Sequence, residues 1–496
     1  MQSPSPIKRI IKDARFYTVA RVIPSIIGFI AIVIYTRILS PEEYGLYILV
    51  ITVISIVTAI SFEWLNKSIL RYFEESKKNK DLSKFISTTF GALLSTIAIS
   101  LILWYIGICL LKDHFSNTFS IMLKLGGLII LTQGIYTFIL SVQQSSRKSR
   151  EYTTYSVLNA SGKLLIAIFF ISLLRFGPKG ILIGMIISSG SISIYGILNL
   201  YKKYKIKFVD FSKKLFKKFI LYGYPLIGLS LASYVLSSID RYMIKYFLNT
   251  SEVGVYSANY GLAGGIIQPF LAILLISAYP IIMETFENKG EIETSHVLNK
   301  TLSIYFIILI PIVFGITTLS KDISSVLLGE SFQKGYRILP LIALGTFLFG
   351  LTQYFYKPFE LKKKTKTLSL LVFGVAIVNI ILNLFFIPMF GILGAAYATL
   401  ISYGCYLLST YLISKKIFQW QFPTKTAIKS VLASVFMCIV LYLILPLYQM
   451  NIFSLILKAL IGATSYFVVM LLSKEKNTLR GFTYASNYLK KLFYEK

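Results

Sequence analysis

Apolar runs alternate with short charged clusters along most of the 496-residue chain. A helix needs about 20 mostly apolar residues to cross the hydrocarbon core of a bilayer. The pattern therefore predicts an all-α polytopic membrane protein with about fourteen transmembrane helices, or twelve or thirteen if a neighbouring pair is misread. The predicted spans are 16–38, 44–66, 85–111, 121–143, 153–174, 180–200, 219–247, 254–281, 300–320, 338–357, 367–387, 391–413, 427–446 and 451–472.

Lysine and arginine positions predict the orientation of these spans. Most of the 51 cations fall in one set of connections and near the two ends of the chain, whereas "IPMFGI" and "LPLYQMN" on the other side contain none. Because positively charged loops stay in the cytoplasm, both termini are predicted to be cytoplasmic. The densest cluster, 202–218, holds eight lysines among aromatic residues. It is predicted to lie against anionic membrane lipids, and nucleic acid is not expected as a partner.

A short motif occurs twice. "RILSPEEYGLY" (37–47) and "FLNTSEVGVY" (247–256) align at an offset of 209 residues, which pairs Glu43 with Glu252 and Gly45 with Gly254. "FGPKGILIG" and "PMFGILG" form a second pair at nearly the same offset. These matches predict a duplicated six-helix unit, with both copies inserted in the same orientation. The alternative is that short glycine-containing turns resemble each other by chance.

The repeat predicts how the chain is divided. An N-lobe with spans one to six occupies 1–200, and a basic cytoplasmic linker occupies 201–218. A C-lobe with spans seven to twelve occupies 219–413, and an extra helix pair with a basic tail occupies 414–496. In the first copy of the motif, Ser40 is predicted to cap span two and Pro41 to open it. Glu42 and Glu43 then lie in the first turn of this helix, where the positive end of the helix dipole favours acidic residues. They are therefore interpreted as residues that stabilise the start of the helix.

Three stretches resemble a known family. "RILSPEEYGLY", "DRYMIKYFLNTSEVGVYSANYGL" (240–262) and "FGILGAAYATLIS" (390–402) are similar to the Wzx-type flippase and polysaccharide transporter branch of the multidrug/oligosaccharidyl-lipid/polysaccharide (MOP) exporter superfamily. The resemblance spans about residues 10–470. It implies two six-helix lobes in a V-shaped arrangement like that of MATE transporters, with two additional C-terminal helices.

The resemblance also implies a function. Such a protein is not an enzyme; it flips undecaprenyl-diphosphate-linked oligosaccharide, an O-antigen, capsule or related repeat unit, to the outer leaflet of the bacterial cytoplasmic membrane by alternating access. Other membrane proteins of polysaccharide assembly are implied as partners. We expect a monomer without a cofactor, and coupling to an H⁺ or Na⁺ gradient stays open.

Two cations lie inside predicted spans. Arg21 lies about one turn into span one, and Lys163 lies near the middle of span five. A cation at mid-bilayer costs about 2.5–3.5 kcal/mol on insertion scales, so each is a candidate for function. Facing one cavity, they would hold the diphosphate headgroup together. The alternatives are that Arg21 reaches the headgroup region and that Lys163 is structural. Related lipid II flippases carry arginines in their first helix, and Arg21 is similar to one of them.

Further charged residues are weaker candidates. Asp240 and Arg241, near the external end of span seven, and Glu63 in span two are candidates for ion coupling or gating, although a structural role of the first two is the alternative. Lys458 is expected to face the external interface or a groove. Five amides are candidates for a polar cavity, with hydrogen bonding between helices as the alternative: Gln133, Asn159, Gln268, Asn379 and Asn383.

Other functions leave no signature in the sequence. The three cysteines and two histidines have no metal-ligand spacing, so no metal site is predicted. The chain has no G-x-x-x-x-G-K-[ST] motif for ATP. A multidrug-type or other small-molecule antiporter of the same superfamily is the main alternative. A major-facilitator transporter and a membrane glycosyltransferase or polymerase fit less well, because the characteristic cytoplasmic motif and a large external loop are missing.

Overall fold

The computed structural model describes residues 6–204, 206–207, 210–362, 364–444, 451–475 and 478. These ranges are helical almost throughout and contain no strand. The chain divides into two compact units, Met1–Ser257 and Ala258–Lys496. Most of the basic tail and the "LPLYQMN" turn, which helped to predict the orientation, lie outside the described residues.

Fifteen α-helices follow one another in the described ranges. They are α1 Pro6–Ile38, α2 Pro41–Lys78, α3 Leu82–Leu111, α4 Asn117–Ser145, α5 Ser149–Ile168, α6 Lys179–Tyr204, α7 Lys213–Phe247, α8 Thr250–Thr318, α9 Ser320–Leu327, α10 Ile338–Phe355, α11 Lys357–Leu361, α12 Thr365–Phe390, α13 Ile392–Ile417, α14 Thr424–Ile444 and α15 Ile452–Leu472. A π-helical turn, Phe169–Leu173, extends α5.

Twelve helices in the described part of the chain are long and apolar enough to cross a membrane. One of them, α8, has 69 residues and covers predicted spans eight and nine. It is broken at Gly290, where φ is 78°. The 35-residue α7 covers predicted span seven. The prediction of an all-α polytopic membrane protein is therefore confirmed, and within the described residues each predicted span lies largely in helix.

The start of α2 has the predicted local chemistry. Ser40 Oγ accepts a hydrogen bond from the Glu43 amide at 3.2 Å, and Glu43 Oε2 accepts one from the Ser40 amide at 3.0 Å. This capping box satisfies two amides that have no partner within the helix. At the start of α8 the Asn249 side chain accepts a hydrogen bond from the Glu252 amide at 2.9 Å. Asn249 is the counterpart of Ser40 at the 209-residue offset, so both copies begin a helix in the same way.

The two copies of the motif also contact each other. A Cβ atom placed on Gly45 would lie 2.1 Å from the Thr250 carbonyl oxygen, and one placed on Gly254 would lie 2.0 Å from the Pro41 carbonyl oxygen. Residues 41 and 250 are themselves equivalent at the repeat offset. Each turn therefore presents its glycine to the same backbone position of the other turn, which is the reciprocity that a twofold contact requires. The predicted six-helix lobes as such stay a prediction.

The α7 helix is fastened to α2 near both of its ends. Ser68 Oγ of α2 donates a hydrogen bond to the Phe219 carbonyl at 3.1 Å, and the Tyr242 hydroxyl of α7 donates one to the Leu49 carbonyl at 2.6 Å. The basic segment before α7 is held as well, because the Ser212 amide donates to Thr88 Oγ1 of α3 at 3.1 Å. Contact of this segment with anionic lipids stays a prediction.

A buried ion pair in the second unit corrects one expectation. Lys458 Nζ of α15 lies 2.7 Å from Asp322 Oδ2 of α9, and the two side chains are 1% and 7% exposed. The prediction that Lys458 faces the external interface or a groove is wrong. The short helix α9 brings a carboxylate to the lysine, and the pairing lowers the cost of burying the ammonium group.

Candidate functional site

One face of α5 is polar across the predicted fifth span. Tyr152, Ser156, Asn159 and Lys163 follow each other at intervals of four, three and four residues. In an α-helix residues at these spacings lie on the same side. We call these four residues the α5 polar face; they lie in the same unit as α1, α4 and α6.

Tyr136 of α4 lies at the centre of this face. Its hydroxyl lies close enough to the side chains of Asn159 and Ser156 to interact with both. Lys163 Nζ lies 6.0 Å from the centroid of the Tyr136 ring, at the outer limit of a cation–π contact. Lys163 is partly buried. Lys163, the deeper of the two predicted cations, thus lies beside the Tyr136 hydroxyl and the Asn159 amide, which can form hydrogen bonds.

The α6 helix closes the other side of the cluster. Ser189 Oγ is 3.3 Å from Asn159 Oδ1 and 3.4 Å from Gln133 Oε1, and Ser188 Oγ donates to the Asn159 carbonyl at 3.0 Å. The helices approach closely here, since a Cβ atom on Gly184 would lie 2.9 Å from the Lys163 carbonyl oxygen. Two of the predicted amides, Gln133 and Asn159, therefore meet at Ser189 of α6, and Asn159 lies one helical turn from Lys163 on α5.

Arg21 lies at the other end of the α5 polar face. The Tyr17 and Tyr152 rings meet edge to face with centroids 5.3 Å apart, and Thr153 Oγ1 donates a hydrogen bond to the Phe16 carbonyl at 2.8 Å. These contacts fix α1 against α5. Arg21 lies one turn beyond Tyr17 on α1, is exposed, and is close enough to Tyr152 to interact electrostatically with its hydroxyl.

Neither cation is paired with an acid in the described part of the chain. The ion pairs within 4.0 Å there include neither Arg21 nor Lys163. Tyr152 and Lys163 are eleven residues apart, which corresponds to about 16 Å along the helix. Arg21 and Lys163 therefore mark the two ends of one polar face, and the structure does not place them side by side as a joint clamp.

Replacement of Lys163 by methionine should separate function from stability. Removing a partly buried, unpaired ammonium group removes a desolvation cost, so the melting temperature of the purified protein should stay the same or rise. Substrate translocation should fall at the same time. A melting temperature several degrees lower would instead show that Lys163 stabilises the fold. Lys179→Met, at the start of α6, serves as a control of the same chemistry outside the cluster.

Asp240 and Arg241 form a separate cluster on α7. Arg241 Nη1 lies 3.2 Å from Asp240 Oδ1 and donates to the Ser237 carbonyl at 2.6 Å. The Tyr256 hydroxyl of α8 donates to Asp240 Oδ2 at 2.6 Å. Asp240 is 3% exposed, and its carboxylate joins α7 to the first turns of α8. These contacts support the structural role, and a coupling or gating role stays a prediction.

Tyr256→Phe should destabilise the protein. It removes the hydroxyl that pairs with a buried carboxylate, and we expect a loss of about 2 kcal/mol, the usual cost of leaving a charged group short of one hydrogen bond. A thermal unfolding curve in detergent would measure it. Tyr246→Phe is the matched control, since Tyr246 is 82% exposed. Equal curves for the two variants would contradict the structural role of Asp240.

The remaining predicted residues do not join the α5 polar face. Glu63 lies 3.9 Å from Lys67 in a surface pair of α2. In the second unit Gln268 is exposed on α8. Asn379 Nδ2 is 3.2 Å from Ser402 Oγ, and Asn383 Nδ2 donates to the Asn379 carbonyl at 2.8 Å. Both asparagines are buried, and the Asn379–Ser402 bond joins α12 to α13, which is the alternative given above for Asn379, whereas the Asn383 side chain bonds within α12.

Sequence reasoning missed the residues that connect the cluster. They are Tyr136, Tyr152, Ser156, Ser188 and Ser189. The spacing of polar residues along α5 indicates two of them, Tyr152 and Ser156. Tyr136 and the α6 serines carry no such signal, because their role depends on which helices pack together.

Comparison with known proteins agrees with this architecture. Residues 10–286 match the family model described as polysaccharide biosynthesis protein. A Shigella flexneri protein named as an O-antigen transporter is 24% identical over 401 residues, covering 78% of this chain and 93% of the relative. The succinoglycan biosynthesis transport protein ExoT of Rhizobium meliloti is 22% identical over 325 residues, covering 64% of this chain and 62% of the relative.

Solved structures show the same fold. The lipid II flippase MurJ, in an inward closed conformation, superposes with a TM-score of 0.71 at 21% identity, covering 92% of this chain and 98% of that one. An inward-facing MATE family multidrug transporter gives a TM-score of 0.67 at 14% identity, covering 80% and 97%. The chain therefore belongs to the polysaccharide biosynthesis protein family and is a multi-pass membrane protein with the fold of MurJ and the MATE transporters.

Proposed function

We propose that this protein flips an oligosaccharide linked to undecaprenyl diphosphate from the inner to the outer leaflet of a bacterial cytoplasmic membrane. The observation that carries the proposal is the α5 polar face together with Arg21 of α1. Lys163 lies at one end of this face and Arg21 beside the other, and neither has an acidic partner within 4.0 Å among the described residues. A charge without a partner inside the membrane destabilises the folded protein. We therefore interpret the two cations as a binding site for an anionic ligand.

The separation of the two cations indicates an order of contacts. Arg21, near the predicted cytoplasmic end of α1, would meet the diphosphate first through its planar fork of donors. Lys163, about 16 Å along α5 from Tyr152, would take up the charge at mid-membrane. Tyr136, Ser156 and Asn159 offer hydroxyl and amide groups between them. The headgroup would thus pass along one face while its lipid chain stays in the bilayer.

The proposal carries further expectations. Both termini are cytoplasmic, and the protein is a transporter without enzymatic activity. The driving force is an H⁺ or Na⁺ gradient, the membrane potential or the substrate gradient itself. The substrate is taken up and released by alternating access, and other membrane proteins of polysaccharide assembly act before and after it.

Deletion of the gene in its own host is the test of this function. The lipid-linked oligosaccharide should accumulate in the cytoplasmic leaflet, and surface polysaccharide should be lost. Complementation with the wild-type gene should reverse both effects. Normal surface polysaccharide together with changed tolerance to toxic small molecules would contradict the proposal and favour a multidrug antiporter. A cationic drug would meet like charge at Arg21 and Lys163, which speaks against that outcome.

A further inference from the structure

A deep apolar groove runs along the first unit on a side that does not include the α5 polar face. It has a volume of about 830 Å³ and is lined by α2, α3 and α4, with Tyr242 and Lys245 of α7 at one edge. Along α2 it extends from Glu42 to Ser61, which is about 28 Å at 1.5 Å per residue. The groove is therefore long and narrow, with a shape that suits an extended chain.

The α3 and α7 helices contact each other outside the groove, and both contribute to its lining. Near the cytoplasmic end the Phe85 and Phe219 rings of these two helices meet with centroids 5.4 Å apart. Nearer the predicted external end, Trp104 of α3 and Tyr242 of α7 both line the groove. At its inner end Ser100 Oγ donates to Ser61 Oγ at 2.7 Å, so the polar groups there satisfy each other.

The groove opens sideways to the bilayer. Leu103 and Leu111 line it and are nevertheless 64% and 50% exposed. Ile99, Ile102 and Leu110 on the same helix are exposed too, at 59%, 59% and 75%. An apolar helix face of this kind is in contact with lipid in a membrane-spanning protein. A hydrocarbon chain can therefore enter from the side without crossing a polar surface.

The mouth of the groove carries charges of both signs. Glu42 and Lys245 line it and are both exposed, and His114 and Ser116 lie on the α3–α4 side. A zwitterionic headgroup has a phosphate that complements the ammonium group and an amine that complements the carboxylate. We propose that the groove binds one acyl chain of a phosphatidylethanolamine from the outer leaflet, with the headgroup between Glu42 and Lys245.

Bromine quenching of tryptophan fluorescence tests this proposal. Trp104 lines the groove, and its indole N–H donates to the Leu123 carbonyl at 2.9 Å. A protein that retains Trp104 alone, with Trp64→Phe and Trp420→Phe, would be placed in nanodiscs of phosphatidylethanolamine with brominated acyl chains. We expect at least a twofold loss of its fluorescence relative to the unbrominated lipid.

A blocked groove provides the decisive comparison. Val57→Phe fills the groove and should remove at least half of the quenching, whereas Val435→Phe, on a bilayer-exposed position of α14, should leave it unchanged. Brominated phosphatidylglycerol, which lacks the amine, should quench less, and Glu42→Gln should abolish this difference. Undiminished quenching in Val57→Phe, or equal quenching by the two lipids in the unblocked protein, would overturn the proposal. The lipid comparison holds even if Val57→Phe does not fold.

Discussion

Replacement of Gly45 or Gly254 by alanine is expected to abolish translocation. Each glycine faces a backbone carbonyl of the other copy of the motif, and an added Cβ atom would lie 2.1 or 2.0 Å from that oxygen. Ordinary contact starts at about 3.4 Å. Because the obstacle on each side is backbone, no side chain can turn away to make room, and the first turns of α2 and α8 must separate.

The effect should be visible in the accessibility of the contact. In a protein without native cysteines, Thr250→Cys provides a reporter at a position that is 6% exposed. A membrane-impermeant maleimide should label it slowly when Gly45 is present and much faster in Gly45→Ala. Gly28→Ala is the matched control, since a Cβ atom there has nothing within 4 Å. Wild-type translocation and labelling in Gly45→Ala would show that the reciprocal contact is not needed.

The second large effect is expected at the buried ion pair of the second unit. Lys458→Met leaves the carboxylate of Asp322 buried without its partner, which costs about 3–5 kcal/mol in comparable pairs. The melting temperature of the purified protein should fall by many degrees. Since Asp322 belongs to α9 and Lys458 to α15, the loss would also loosen the attachment of the C-terminal helix to this unit.

Two further variants distinguish this explanation from a general effect of the substitution. Lys321→Met changes an exposed neighbour in the same way and should leave the melting temperature unchanged. The double variant Lys458→Met/Asp322→Leu removes both charges and should recover much of the stability, because an apolar pair avoids desolvation altogether. An equal loss in Lys321→Met, or no recovery in the double variant, would contradict the account.

Features governed by local physics could be predicted from the sequence. The spans follow from the thickness of the bilayer, which fixes the length of an apolar run. The start of α2 follows from Ser40, Pro41 and Glu43, whose capping interactions involve residues only three positions apart. Each of these features depends on neighbours in the sequence, so the residues themselves carry the information.

Features that depend on packing between distant segments could not be predicted in full. Asp322 and Lys458 are separated by 136 residues, and the sequence around each of them does not indicate that the other is its partner. Lys163 and Asn159 were identified as candidates, but their common partner Tyr136 lies on another helix.

Transport by the reconstituted protein tests the central claim most directly. Purified protein in liposomes would be given an undecaprenyl-diphosphate oligosaccharide in one leaflet, and its arrival in the other leaflet would be followed by cleavage with an added glycosidase. The account predicts rapid transfer by the wild type and at least tenfold slower transfer by Arg21→Gln and by Lys163→Gln, since a hydrogen bond to a charged group contributes about 1.5–3 kcal/mol. Lys179→Gln should behave as wild type. Transfer at the wild-type rate by both Arg21→Gln and Lys163→Gln would contradict the assignment of the α5 polar face as the path of the anionic headgroup.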